Sequence, residues 1–360
     1  MRKAKFQIPN SKFQIFRSLF TIHRSLITIH CLLFTVYCLL FFSGCAGQDK
    51  TYKENMVIMD TVCTITAVSA SEKDAKKAVD AGFAEIKKLE ALLNFFSDDS
   101  EISAVNKAAG YKAVKVSVET LDIIKKALMV SDGTNGAFDP AIGPLTKLWG
   151  FSGKGAAGIP QDDKIKNILP LIDYKKIIIN NSLSEVFLQK KGMAIDLGAI
   201  AKGYAADMAI EAIKAAGIKA ALVSIAGDIK GFGIKPDGKP WRVGIQDPRA
   251  DGIFAAIDLQ DKAISTSGDY QRYFVKDGRR YHHIIDPKTG FPASNSISVS
   301  VIADNGYAAD SFSTGAFVLG PEKGIKLLES MGLSGIIVDA GKKMHITKDL
   351  IGKITIEKPL

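Results

Sequence analysis

At Ser71 the hydrophobic period of this chain changes, and the change fixes what kind of fold is available to it. Residues 56–70 (MVIMDTVCTITAVSA) are rich in β-branched side chains and read as one strand. Ser71-Glu72-Lys73-Asp74 has the form of a capping box, after which Ala75, Val79, Phe83, Ile86, Leu89 and Leu93 recur at helical spacing. Sheet and amphipathic helix must therefore share a core. A second helix is expected over residues 118–130, with Leu121, Ile124 and Leu128 inward. Beyond it, Asn135-Gly136-Ala137-Phe138-Asp139-Pro140 is a loop whose proline biases Asp139 towards an extended backbone.

The second half alternates short strands (220–225, 231–235, 241–245, 255–259, 263–267) with helices near 198–216, 308–319 and 321–331. Asp237-Gly238 and Asp277-Gly278 are hairpin turn signals. Residues 296–303 (SISVSVIA) alternate as a half-buried strand should. No long repeat or disordered tract interrupts the pattern, and the fold class is α+β.

The first 44 residues carry Arg2, Lys3, Lys5, Lys12, Arg17 and Arg24 and no acid, then an apolar run over 26–42, then Ser43-Gly44-Cys45. This is the form of an export signal. The Ser-Gly-Cys end resembles the lipobox of bacterial lipoproteins, which implies cleavage before Cys45, acylation of its thiol and anchoring to a lipid bilayer at the periplasmic face of a bacterial membrane. An uncleaved membrane anchor is the alternative. The chain thus divides into a signal (1–44), a lipidated Cys45 with a polar tether (45–53) and a domain (54–357).

Without the signal's six positive charges, the whole-chain charge of +9 falls to +3. A nucleic-acid binder would keep a strong basic excess in its folded part, so that class is excluded. Of four cysteines, only Cys63 then remains for the fold, which rules out an internal disulfide in the mature monomer. Stability must come from a hydrophobic core, and a 47% hydrophobic composition supplies one large domain or two closely packed subdomains.

Three constellations could carry chemistry. In Tyr281-His282-His283-Ile284-Ile285-Asp286-Pro287-Lys288-Thr289-Gly290, two of the five histidines stand beside a rigid acidic turn, preceded by Thr266-Ser267-Gly268-Asp269-Tyr270. These segments could line a nucleotide pocket or simply form a hairpin and a turn. In residues 195–204 (IDLGAIAKGY), a strand passes through glycine into a helix whose free N–H groups, with Lys202, could hold a diphosphate. An ordinary joint capped by Asp196 is the other possibility. Asp310 and Thr314 fall one helical turn apart and, with backbone carbonyls, would suit Mg²⁺. They could equally be a capping aspartate and a core threonine.

In chain order, Met59-Asp60-Thr61, Ser100-Glu101-Ile102-Ser103 with Asn106, residues 136–140, residues 196–204, Gly227-Asp228, residues 241–248, 266–270, 283–290 and 310–314 resemble the motifs of the ApbE family, the FAD:protein FMN transferases. The resemblance covers residues 54–357. It implies an ApbE-type, T-fold-like arrangement of mixed sheets packed with helices. It further implies FAD, as substrate, lying along Met59, Ala137, Phe138, Asp139, Asp196 and Lys202, with Thr266, Ser267, Gly268, His283, Ile284 and Asp286 closing the nucleotide side. Mg²⁺ is implied at the main-chain carbonyl of Ala199 with Asp310 and Thr314. The family's aromatic over the flavin corresponds to Phe96, and its Gly-Gly pair is Ala226-Gly227 here, while its Met-Gly-Thr is Met59-Asp60-Thr61.

The implied reaction is Mg²⁺-dependent transfer of FMN from FAD to a threonine or serine hydroxyl of an acceptor protein, with AMP leaving. His283 is the expected general base, with Asp196 the alternative. Two other activities suit the same residues: an FAD pyrophosphatase giving FMN and AMP, and a non-enzymatic FAD-binding lipoprotein.

Overall fold

Met59 and Asp60 decide how the folded body begins. In the computed structural model, which describes residues 48–151 and 158–360 together with His23, Thr28 and His30, both take left-handed φ angles of 57° and 55°. The run over 56–70 is therefore not one strand but the end of β1 (Lys50–Ile58), a two-residue turn and β2 (Thr61–Ser69). The apolar alternation continues through the turn without glycine or proline, which is why the break is silent in the sequence. Lys50 already pairs with Ser69, so residues 50–53 belong to a strand and not to a tether. The expected export signal and Cys45 lie outside the described residues.

Ser71 accepts a hydrogen bond from the Asp74 N–H and caps α1 (Glu72–Leu93), whose buried face includes all six expected apolar positions. Next come α2 (Glu101–Lys107), the short β3 (Val114–Lys115) and α3 (Val118–Gly133), the two helices capped by Ser100 and Ser117. A 3-10 turn at Pro140–Ile142 leads into α4 (Gly143–Trp149), then α5 (Asp162–Ile168), β4 (Ile177–Asn180) and β5 (Glu185–Leu188). The second half runs α6 (Ala201–Ala215), β6 (Ala221–Ile225), β7 (Asp228–Phe232), β8 (Trp241–Gln246), β9 (Ile253–Leu259), β10 (Ala263–Gly268), β11 (Tyr273–Lys276), β12 (Arg279–His282) and β13 (Ser296–Ala303). It closes with α7 (Gly306–Ser330), β14 (Ser334–Asp339), β15 (Met344–Ile346) and β16 (Thr355–Ile356). Gly320, at φ 77°, breaks α7 before Pro321, as the two expected helices there require.

Among the described residues the main sheet has eight strands in the antiparallel order β1-β2-β6-β7-β10-β13-β14-β15. Helices α1, α6 and α7 cover one face through residues such as Ile65, Phe83, Ile210 and Val301. The three-stranded sheet β16-β9-β8 covers the other through Trp241, Phe254, Ile264 and Ile302. With both faces covered, β13 is buried along its whole length, correcting the half-buried expectation. Its serines are internal, as when the Ser300 hydroxyl meets that of Thr266 at 2.7 Å. Asp277-Gly278 closes the β11–β12 hairpin with two positive φ angles, as expected. Asp237-Gly238 instead lies where the chain leaves the main sheet for the small one. Residues 49–360 form one unit, and among the described residues no helix is long and apolar enough to cross a membrane.

Candidate functional site

The site is organised by the crossing of α6 and α7. A Cβ on Gly203 would lie 2.1 Å from the Gly306 carbonyl oxygen, so only glycine permits this approach. Asp207 on α6 fastens the crossing, its carboxylate accepting the N–H groups of Gly306 (2.6 Å) and Tyr307 (3.0 Å) at the start of α7. One turn along α7, Asp310 is brought beside Lys202.

Lys202 Nζ stands 2.6 Å from Asp228 and 3.6 Å from Asp310. The Ser265 hydroxyl donates to the other oxygen of Asp228. Burial alone would lower the lysine pKa, but the two carboxylates outweigh it and raise it. Burial, and then the charge of Asp228, raises Asp310 above the ordinary carboxylate range. Thr314 lies on the same face, its hydroxyl 3.0 Å from that of Ser267, which is 2.8 Å from that of Ser313.

The backbone before α6 departs from the expected helix start at residue 198, because α6 begins only at Ala201. In a regular helix the Gly203 N–H would bond to the Ala199 carbonyl. Here it donates to Asp310 Oδ2 at 3.0 Å, and the Ala199 carbonyl has no hydrogen-bond partner among the described residues. One carboxylate, one hydroxyl and one spare carbonyl are the donor types a hard divalent cation takes. No group of three or more His, Cys, Asp or Glu converges among the described residues, so oxygen donors other than carboxylates must complete any such set.

Asp196 has the geometry of a joint. Its N–H donates to the Pro140 carbonyl (2.8 Å), while its carboxylate accepts the Thr146 hydroxyl (2.8 Å) and the Gly198 N–H (2.9 Å). Burial raises its pKa. Asp139 accepts the N–H groups of Ala141 (2.8 Å) and Tyr174 (3.1 Å), and burial pushes its carboxyl up to about 6.

The two histidines divide their labour. Buried His282 donates from Nε2 to the Ala293 carbonyl (2.7 Å) and accepts the Ile284 N–H at Nδ1 (3.3 Å), so it is a neutral packing residue. His283 donates from Nδ1 to the Arg272 carbonyl (3.3 Å), leaving Nε2 with the lone pair. Burial, with further contributions from His282, Arg272 and Lys202, holds its pKa down at about 3. Arg272 also acts on Asp196 and Lys202, so these four groups share one electrostatic neighbourhood.

Several expected contacts are placed elsewhere. Thr266 points to the opposite face of β10 from Ser265 and Ser267, since side chains alternate along a strand. Ala137, Phe138 and Ile284 are buried, Phe138 and Ile284 in the helix-side core, leaving backbone rather than side chains for a ligand. The Asp286 carboxylate accepts the Lys288 N–H inside its own turn. Gly268 abuts the Tyr270 ring, where a Cβ would come within 2.4 Å. Met59, at the β1–β2 turn, donates its N–H to Glu90 (2.6 Å) and packs against the same core. Phe96 remains exposed, edge-on to buried Phe95 with centroids 5.0 Å apart.

Asp228, Ser265, Ser313, Thr146 and Arg272 were not singled out from the sequence. Asp228 had a signal in its Gly227-Asp228 motif, whereas Ser265 on β10, Ser313 on α7, Thr146 on α4 and Arg272 just before β11 acquire their neighbours only through the packing of elements far apart in the chain.

The ApbE family model matches residues 59–337. The FAD:protein FMN transferase of Treponema pallidum is 33% identical over 334 residues, covering 87% of this chain and 91% of that protein. The FAD:protein FMN transferase of Escherichia coli K12 is 33% identical over 307 residues, 81% of this chain and 88% of its own. The crystal structure of the ApbE protein of Thermotoga maritima superposes with a TM-score of 0.79 at 34% identity, covering 84% of this chain and 99% of that one. The apo flavinyl transferase ApbE of Pseudomonas stutzeri gives 0.76 at 31% identity, with 85% and 97% covered. Matched by the family model over residues 59–337 and over 88% or more of the length of each of these proteins, the chain belongs to the ApbE family.

Proposed function

We propose that this protein is an enzyme that transfers FMN from FAD to a threonine or serine hydroxyl of an acceptor protein, releasing AMP, with Mg²⁺ as cofactor. The carrying observation is the diverted Gly203 N–H, which leaves the Ala199 carbonyl spare in the α6 approach whose Gly203 is bonded to Asp310, with Thr314 one turn further on α7. Ala199, Asp310 and Thr314 would hold the ion. Once bound, it would offset negative charge on the phosphoryl oxygens, which is most of what this chemistry requires.

The chain's own residues account for the rest. Lys202, kept protonated by Asp228 and Asp310, supplies a fixed positive charge for the diphosphate. His283 presents the unprotonated Nε2 to the acceptor hydroxyl. As that oxygen bonds to the FMN phosphorus, the P–O bond to AMP breaks and the hydroxyl proton passes to His283. Burial is the main cause of the depressed imidazole, and an anionic diphosphate arriving near Lys202 and Arg272 would relieve the smaller, cationic contribution to it. Asp196, both of whose oxygens are engaged, holds the loop instead. The export signal and lipobox motif support an acylated Cys45 and a periplasmic membrane location.

Incubating the protein with FAD, Mg²⁺ and an acceptor domain, followed by intact mass, tests the reading. Transfer adds FMN to the acceptor, and a chelator abolishes the gain. Free FMN and AMP without modified acceptor would make the protein a pyrophosphatase, and unchanged FAD would make it a flavin holder.

A further inference from the structure

Lys230 is a charged residue placed where an apolar one would serve. It lies on β7 and is 8% exposed, and its cross-strand neighbours Val223 and Ala263 both belong to the helix-side core. Among the described residues its ammonium makes no ion pair within 4.0 Å. It donates instead to two main-chain carbonyls, that of Asp304 and, at 3.3 Å, that of Asp261. Burial lowers the pKa of this lysine, and the largest opposing influence is the charge of Asp207.

Both partners lead to the α6–α7 crossing. Asp304 stands in the turn between β13 and α7, just before the helix begins at Gly306. The carboxylate of Asp207 already takes the Gly306 and Tyr307 N–H groups, so the start of α7 is held by an anion on its first donors and by a cation on the carbonyl that precedes them. Asp228 and Lys230 are alternate residues of one strand and therefore face the same way, their backbone positions about 7 Å apart. Asp228 holds Lys202 of α6, and Lys230 holds the turn from which α7 starts. One strand thus sets the spacing between the lysine of one helix and the carboxylate, Asp310, carried in the first turns of the other.

We propose that Lys230 is a positioning residue for the flavin-transfer site: by tying the turn before α7 to β7, it keeps the Asp310 carboxylate where it meets Lys202 and the Gly203 N–H, and so sets the affinity of the site for its divalent cation. This rests on the metal-dependent flavin-transfer reading above. Lys230 acts through Asp310 alone, as groups that orient a metal ligand do.

The test titrates Mg²⁺ into the full chain in detergent with FAD present, following flavin fluorescence, for the parent protein, Lys230→Met, Lys230→Gln, Lys230→Arg and Lys262→Met. Loss of a group that orients a metal ligand should raise the Mg²⁺ midpoint by about 10–100-fold in Lys230→Met. Lys230→Arg keeps donors for both carbonyls and should recover most of the affinity. Lys262→Met breaks only the exposed pair between Lys262 and the Asp304 carboxylate (2.6 Å) and should match the parent. A lysine that serves stability alone would lower Tm and the folded fraction yet leave the Mg²⁺ midpoint of the folded protein where it was, and that result would overturn the proposal. An equal shift in Lys262→Met would do the same. Where Lys230→Met does not fold, the midpoint of Lys230→Gln, whose shorter amide cannot reach both carbonyls, decides in its place. A parent protein whose FAD binding ignores Mg²⁺ would instead defeat the metal-dependent reading itself.

Discussion

His283 and Asp139 show how burial gives two titratable residues opposite tasks. His283 is kept neutral with its lone pair on Nε2, so His283→Ala should lower the rate of FMN transfer by about 10²–10⁴-fold while FAD binding persists. Single-turnover transfer rates beside FAD titrations check this, and parent-like rates would remove His283 from the chemistry. Asp139 carries a carboxyl held at about 6, against about 3.9 in an unfolded chain. A raised acid binds its proton more tightly in the folded state, so its stabilising contribution is complete below about pH 3.9 and is lost as pH rises through about 6. The stability of the protein relative to Asp139→Asn should therefore fall by about 2–3 kcal/mol between pH 4 and 6 and then level off, as read by denaturant melts across that range. Ala226 stands at φ 51°, a left-handed angle that favours glycine, so Ala226→Gly should gain up to about 1 kcal/mol and raise Tm. The residue types were plain in the sequence, but their protonation states were not, because those depend on who is brought alongside.

The α6–α7 crossing is the element on which the chemistry depends. Gly203→Ala would force a Cβ to 2.1 Å from the Gly306 carbonyl, separating Lys202 from Asp310. The expected result is a loss of about 3 kcal/mol or more of stability together with loss of Mg²⁺-dependent FAD binding, seen by thermal melts and titration. A variant with parent-like Tm would show that the helices can part without penalty. Helix positions were legible from apolar spacing at Ala75 through Leu93 and from Asp310 with Thr314. The late start of α6 was not, since the Gly203 N–H, one of the donors a helix start leaves open, finds its partner in Asp310, 107 residues away in the chain. The β1–β2 turn was missed for a related reason: Met59 and Asp60 carry no turn signature, and their positive φ angles are imposed by the pairing of Lys50–Ile58 with Thr61–Ser69.

At the scale of the molecule, residues 49–360 make one unit with cores on both sides of the main sheet. A chain beginning at residue 48 should therefore fold, remain in solution without detergent and transfer FMN at the parent rate, as checked by circular dichroism and the intact-mass assay. Aggregation or inactivity of that shorter chain would count against the proposal that the first 47 residues act in export and anchoring alone. The sequence by itself determined the α+β class, the main helices, the family and the segment that carries Lys202, because periodicity, capping and motif order are local properties of the chain. Tertiary structure alone decided that β13 is buried on both faces, that Thr266 turns away while Ser267 faces Thr314, and that Asp228 and Arg272 join Lys202. Those outcomes depend on strand register and on helices crossing at a glycine contact, where side chains far apart in the chain meet and no local pattern records the meeting.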